Sequence, residues 1–450
     1  MLVSTSRSSL RDVLKTSLPA VLDLSSQTII WLVEAIFIGH ISTQALAGVG
    51  VALQIIILTF TVVLTFVVGA SIIIVRYLGN NDTWNANHVF AQALIIGGIL
   101  SIFISLLWYF GGTQLFTIIR EKQPIARQYG VDYLKTISYF GPLIILNFIA
   151  LGIMRMAGDT LLSMKINVFA NLFHISLSYV LIFGHWGFPR LEARGAALAA
   201  SIAHSMAFVI TLISLRRRKS SLFLPFSEFR SINFQTFKKL FKLGAPTTVE
   251  QLVWAIGQLV LSVYAARMGI LALATHQVLV RVQSVLTMAW TGFGMASMTL
   301  VGKSIGASAE QRAISSAVVT ARVALVFSIL VAALLIFFRE SWLGIFTNDP
   351  AVVRFGASTI LVFALIQIPK AVNIVFTGNL RGGAELAWLM WLAISSVLLF
   401  EVLGAYLVSL VFGAGLMGLW LIQGVDESAR FVLNYRRFMQ RRWQKNRVEL

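Results

Sequence analysis

A constant shift of 227 residues lays the second half of this chain over the first. It maps Pro19 onto Pro246, Asp23 onto Glu250, the run Ala45-Leu46-Ala47 onto Ala272-Leu273-Ala274, Arg76 onto Lys303 and Gly79 onto Gly306. A shift of 226 continues the match, taking Asn147, Gly152 and Arg155 onto Asn373, Gly378 and Arg381. The fold must therefore be built twice from one plan. Several of the matched residues are ionisable and stand inside apolar stretches, where such a group is a functional-site hypothesis by default. Duplicated membrane lobes with acids in their spans are the construction of alternating-access carriers.

Composition supports a lipid environment. Of 450 residues, 58% are hydrophobic and 12% charged, against about 25% charged in a soluble domain. Apolar stretches near the roughly 20 residues of a spanning helix recur along the whole chain. Spans are expected over 14–38, 48–76, 89–111, 129–154, 161–184, 195–215, 243–266, 276–301, 316–338, 356–379, 387–411 and 414–435. The expected fold is all-α and integral to the membrane, with twelve helices in two pseudo-symmetric six-helix lobes. The first stretch contains Pro19, Asp23 and Glu34 and lacks a small-residue cleavage site, so it reads as a helix rather than a signal peptide. The chain has no cysteine, which excludes disulfide and thiolate chemistry.

The expected organisation is an N-lobe over 1–215, an inter-lobe linker over 216–242, a C-lobe over 243–435 and a basic tail over 436–450. A net charge of +18 would point to nucleic acid in a soluble protein. Here the basic runs lie between or after spans: Arg216-Arg217-Arg218-Lys219, Lys238-Lys239 with Lys242, and the tail with Arg436, Arg437, Arg441, Arg442, Lys445 and Arg447. Such positions set orientation and meet anionic lipid. Placing both termini and the linker in the cytoplasm puts roughly two-thirds of the Lys and Arg on that side, as the positive-inside rule requires. The orientation implies the inner, cytoplasmic membrane, and no nucleic-acid partner is expected. Phe226, Phe229, Phe234 and Phe237 beside basic residues suit an interfacial linker.

Three stretches resemble the multidrug and toxin extrusion (MATE) family. Leu18-Pro19 leads to Val33-Glu34-Ala35-Ile36-Phe37-Ile38-Gly39. Leu177-Ser178-Tyr179-Val180-Leu181-Ile182-Phe183-Gly184 continues to Gly187-Phe188-Pro189 and Gly195-Ala196-Ala197-Leu198-Ala199. Arg155-Met156-Ala157-Gly158-Asp159-Thr160 is echoed by Arg381-Gly382-Gly383. The resemblance implies a V of two six-helix bundles that exports organic cations and amphipathic compounds against an inward proton or sodium gradient. It also implies a monomer that uses no cofactor, with a small-molecule substrate, H+ or Na+, and membrane lipid as partners. The alternative kept open is a lipid-linked oligosaccharide flippase of the same superfamily, which would need a cationic cavity; Arg281 and Lys370 could supply it. An integral membrane enzyme would need clustered catalytic side chains, and no such motif occurs. There is likewise no HExxH and no GxxxxGK[ST], and no metal site is assigned.

The candidate residues follow from position and from that resemblance. Glu34 lies deep in the first span, where an ionised carboxylate is costly unless it binds a proton or cation; the family has Asp here. Asp23 lies eleven residues earlier, about three turns, on nearly the same face, with Gln27 one turn after it. These three form the expected cation-coupling stripe. In the second lobe, Glu250 is Asp23's counterpart, while the NorM-like branch carries its acid one turn on, where this chain has Trp254. Lys370 replaces an aspartate of that branch and is expected to pair with Glu250 or Glu401. Arg281 adds a second positive charge, completing an expected network of Glu250, Arg281, Lys370 and Glu401. In the fifth span Ser178 replaces a common aspartate, and Asn171 and His174 keep that face polar; histidine is the side chain suited to titrate near neutral pH. The Arg155–Thr160 turn is expected to be structural, with arginine on helix-end carbonyls and Asp-Thr capping the next helix. Loss of the usual acids in the fifth and tenth spans favours protons over sodium.

Overall fold

The computed structural model describes residues 10–118, 123–224, 233–347 and 349–445, and it is all-helical. The first half holds α1 (Leu10–Gly39), α2 (Thr43–Gly79), α3 (Thr83–Ile118), α4 (Pro124–Met156), α5 (Thr160–Phe183) and α6 (Glu192–Arg216). The second holds α7 (Phe234–Arg267), α8 (Ile270–Gly306), α9 (Glu310–Phe337), the short α10 (Arg339–Gly344), α11 (Pro350–Gly382), α12 (Leu386–Ser396) and α13 (Gly415–Met439). After α12 the chain stays helical with wider, π-type turns over Val397–Gly404 and Tyr406–Val411.

Twelve of these elements are the spans: α1 to α9, α11, α12 with its π-helical extension, and α13. Eleven among the described residues are long and apolar enough to cross a membrane on composition alone. α13 is not, because it carries Asp426, Glu427 and Arg430. All three are buried and ion-paired, so the helix turns its charges toward protein rather than lipid. Phe103 and Phe110 of α3, Leu259 of α7 and Leu330 of α9 are instead exposed, as an apolar solvent permits.

The helices outrun the apolar stretches that mark them. α2 covers 37 residues, and α7 begins at Phe234, so 234–242 is helix rather than connector. Phe237 stacks on Phe66 with ring centres 5.8 Å apart. Phe226 and Phe229 lie outside the described residues, as do Arg447 and the side chain of Lys445.

The chain divides into two compact units. One comprises Leu22–Tyr77 and Asp82–Gly244; the other comprises the chain through Val21, Leu78–Asn81 and everything from Ala245. α4 is the centre of the first, packing on α3, α5 and α6, and α11 is the centre of the second, packing on α8, α9 and α13. The duplication is visible in these two helices. Each has proline in its first turn, Pro124 and Pro350, where a missing N–H costs nothing. Each has a second proline inside, Pro142 and Pro369, which breaks one backbone bond and permits a bend. Pro19 of α1 and Pro246 of α7 repeat the device.

Packing is duplicated as well. A Cβ on Gly152 of α4 would meet Val67 of α2 at 2.9 Å, and a Cβ on Gly378 of α11 would stand 2.1 Å from the carbonyl oxygen of Gly294 on α8. A shift of 226 relates Gly152 to Gly378, and one of 227 relates Val67 to Gly294. In lipid, where burial of apolar surface gives little drive between helices, such backbone approach through small residues is what holds spans together.

Candidate functional site

α1 carries two buried carboxyls in unlike settings. Asp23 is fully buried and receives the Arg155 Nε of α4 at 2.7 Å and the Asn167 Nδ2 of α5 at 2.6 Å. Its backbone oxygen accepts from Ser26 Oγ, which in turn receives Asn171 Nδ2 at 3.1 Å. Asp23 is thus neutralised and ties α1 to two neighbouring helices. Gln27 is half-buried and makes no hydrogen bond among the described residues.

Glu34 has no such cation. Buried on the same helix, it accepts one hydrogen bond, from the Tyr133 hydroxyl of α4 at 3.0 Å. Beside it runs a narrow crevice lined by Ile30, Val33 and Phe37 of α1 and by His174, Ile175 and Ser178 of α5. Among the described residues neither ring nitrogen of His174 has a hydrogen bond, nor does Ser178 Oγ, nor Asn171 Oδ1, and all are buried. His204 of α6 places its ring 6.2 Å from that of His174. Unsatisfied polar atoms are rare inside proteins and call for an explanation. Here several surround one carboxyl that lacks a charged partner.

The second unit is organised differently. Glu250 of α7 receives Arg381 Nη2 of α11 on both oxygens, at 2.9 and 3.0 Å. This is the Asp23–Arg155 pair over again, built from the repeat counterparts of both residues. Lys370 therefore does not meet Glu250, whose oxygens are taken. Nor does it pair with Glu401; its Nζ lies 3.4 Å from Glu427 of α13. Arg430 bridges Asp426 at 2.9 Å and Glu427 at 2.8 Å and lies 3.9 Å from the ring centre of Trp254. Asn373 donates to Glu427, Asn434 donates to Asn373, and Ser396 donates to Asp426. Arg281 stands apart from the expected network. It is exposed on α8 and forms no ion pair among the described residues.

Sequence reasoning missed Asp426 and Glu427. The available signal was an Asp-Glu pair with Arg430 one turn on, inside the last apolar span. The Arg155–Thr160 turn also needs correcting. Arg155 reaches Asp23 rather than helix-end carbonyls. Asp159 precedes α5 without capping it; its carboxylate instead accepts from the Ser221 backbone at 2.9 Å and from the hydroxyls of Ser220 and Ser221.

The MatE family model matches twice, at residues 19–180 and 246–407, with both ends displaced by the same 227 residues that relate the halves. The chain belongs to the MATE family. The probable multidrug resistance protein NorM of Thermotoga maritima is 26% identical over 97% of this chain and 94% of its own length. Two solved structures show the same fold at 19% identity, each covering 97% of both chains with a TM-score of 0.88. One is a multidrug resistance MATE transporter in an outward-facing conformation, the other a MOP superfamily transporter from Pyrococcus furiosus.

Against that MATE background the departures noted in the sequence acquire partners. Trp254 stands under the Arg430 guanidinium, and Lys370 is held by a carboxylate of α13. Besides Glu250 on α7 and Glu385 before α12, the second unit of this MATE chain buries Glu401, Asp426 and Glu427 on its last two spans.

Proposed function

We propose that this chain exports organic cations or other amphipathic compounds by alternating access in exchange for protons, with Glu34 as the coupling carboxyl. The observation that carries the reading is the contrast on α1. Asp23 is held by a guanidinium, whereas Glu34 is equally deep and receives only a hydroxyl. A buried carboxylate without a counter-ion is costly, so Glu34 is neutral when a proton occupies it and is charged only when a cation replaces that proton. Proton and substrate cation then compete for one negative charge, and mutual exclusion couples their fluxes by linkage. His174 and Ser178 line the crevice beside Glu34 with polar atoms able to relay a proton. The names of relatives such as NorM support multidrug substrates. The charge distribution supports a cytoplasmic-membrane location with both termini and the 216–242 segment inside.

The test is ethidium efflux from reconstituted vesicles, imposing a pH gradient and a sodium gradient separately. A pH gradient alone is expected to drive wild-type efflux, and Glu34→Gln to reduce it at least a hundredfold while leaving the protein folded. Efflux driven by sodium alone, or unaffected by Glu34→Gln, would overturn the reading.

A further inference from the structure

The second unit contains a buried charge cluster that does not balance. Glu401 lies on the π-helical stretch after α12, Asp426, Glu427 and Arg430 on α13, and Lys370 on α11. That is three carboxyls against two cations. Glu427 is shared by Lys370 and Arg430, and Asp426 holds Arg430 and the Ser396 hydroxyl. Glu401 has neither an ion pair nor a hydrogen bond among the described residues. Its side chain is buried and its Oε2 has no partner.

The surroundings of that oxygen say what it holds. Oε2 rests against the backbone of α7 at Gly257, where a Cβ would come within 1.8 Å of it. The residue that faces the carboxyl is thus the one that leaves it room, and it brings C–H rather than an oxygen ligand. The charged groups acting on Glu401 are Asp426, Glu427 and Arg430 from α13 and Lys370 from α11; α7 contributes Trp254 and Gly257, which are neutral. A hard metal cation needs several converging oxygens, and among the described residues no three acid or imidazole groups gather closely enough to hold one. A proton needs none of this. It sits on the carboxyl itself and removes the one surplus negative charge.

We propose that Glu401 is a proton-binding site of the second unit, separate from Glu34. The proton neutralises the third carboxyl of the cluster, and it leaves when Lys370 or Arg430 exchanges partners and turns to Glu401. The wider π-type turns around Glu401 fit the role, since such turns concentrate at functional positions.

The experiment is infrared spectroscopy of the purified full-length protein in lipid vesicles at neutral pH, reading the C=O stretch of protonated carboxyls. Glu401→Gln is expected to remove the equivalent of one protonated carboxyl, in wild type and equally in a Glu34→Gln background, so the result stands apart from the coupling role of Glu34. Lys370→Met leaves three carboxyls against one cation and is expected to add one protonated carboxyl. It also serves if the Glu401 variant does not fold. An unchanged signal in Glu401→Gln, no gain in Lys370→Met, or loss of the signal when sodium replaces choline would overturn the proposal.

Discussion

Arg155→Met tests whether Asp23 is a structural acid. The substitution keeps an apolar body of similar length and removes the guanidinium 2.7 Å from a carboxyl that has no solvent exposure. Asp23 keeps Asn167 Nδ2, which is a single neutral donor. Removing one partner of a buried pair costs about 3–5 kcal/mol, and 3 kcal/mol is roughly two orders of magnitude in the folded-to-unfolded ratio. Asp23→Asn leaves the other partner instead. The Arg155 side chain is 11% exposed and can reach polar surroundings, so its loss is expected to be smaller, about 1–3 kcal/mol. The double variant leaves no uncompensated charge and is expected to fall near the milder single variant. The coupling then equals the whole Arg155→Met loss, about 3–5 kcal/mol, at or above the top of the range that contacting residues show. The counterpart Arg381→Met follows the same logic with a smaller loss, because the Glu250 side chain it leaves is 8% exposed. Reversible unfolding in mixed micelles, followed by tryptophan fluorescence, measures all four. If Arg155→Met costs under about 1 kcal/mol, or the two single losses simply add, the pair is not what holds α1 to α4 and the reasoning fails.

Two further substitutions probe the packing and the segment after α6. Gly378→Ala places a methyl group 2.1 Å from the Gly294 carbonyl oxygen, and forcing the two backbones apart is expected to cost about 1–3 kcal/mol or more; a monodisperse elution profile and unchanged melting would contradict the packing described for α8 and α11. Asp159→Ala frees Ser220 and Ser221 from the carboxylate that gathers them. Tryptic cleavage at Arg216–Lys219 is expected to accelerate about tenfold, matching the loss of about 1–2 kcal/mol for charge-assisted hydrogen bonds; an unchanged cleavage rate would show that this segment is held by something else.

The span pattern was legible in the sequence because hydropathy is a local property, and the lipid-facing middle of each helix records it. The helix ends were not, since they leave the apolar layer and obey the aqueous rules of loops. That is why α7 starts nine residues before its apolar run at Phe234. Ion pairing was the harder step. Lys370, Glu250 and Glu401 were recognisable as charges in apolar spans, but which one meets which depends on how far each helix is rotated. A pattern along one chain does not state that rotation. The exception is instructive. Shifts of 227 and 226 carry Asp23 to Glu250 and Arg155 to Arg381 with opposite charges preserved on both sides, so a duplicated chain does encode one of its own contacts. Asp426 and Glu427 had no counterpart of that kind to point to them.

The duplication also separates scaffold from working parts. A contact that both halves retain serves the plan common to both, and Asp23–Arg155 with Glu250–Arg381 is such a contact. Glu34 is not retained; the same shift places Leu261 at its counterpart, a buried apolar residue in the core of the second unit. Glu401 is likewise acidic on one side only. An acid that a duplicated fold can do without in one half is not required for folding, and the cost of burying it has to be met by some other benefit. Asp426 and Glu427 break the repeat as well but are ion-paired; Glu34 and Glu401 are the buried span acids that break it and also lack an ion pair among the described residues. The proton exchange proposed for Glu34 and Glu401 accounts for both facts together, whereas a structural role predicts the pairing seen at Asp23 and Glu250.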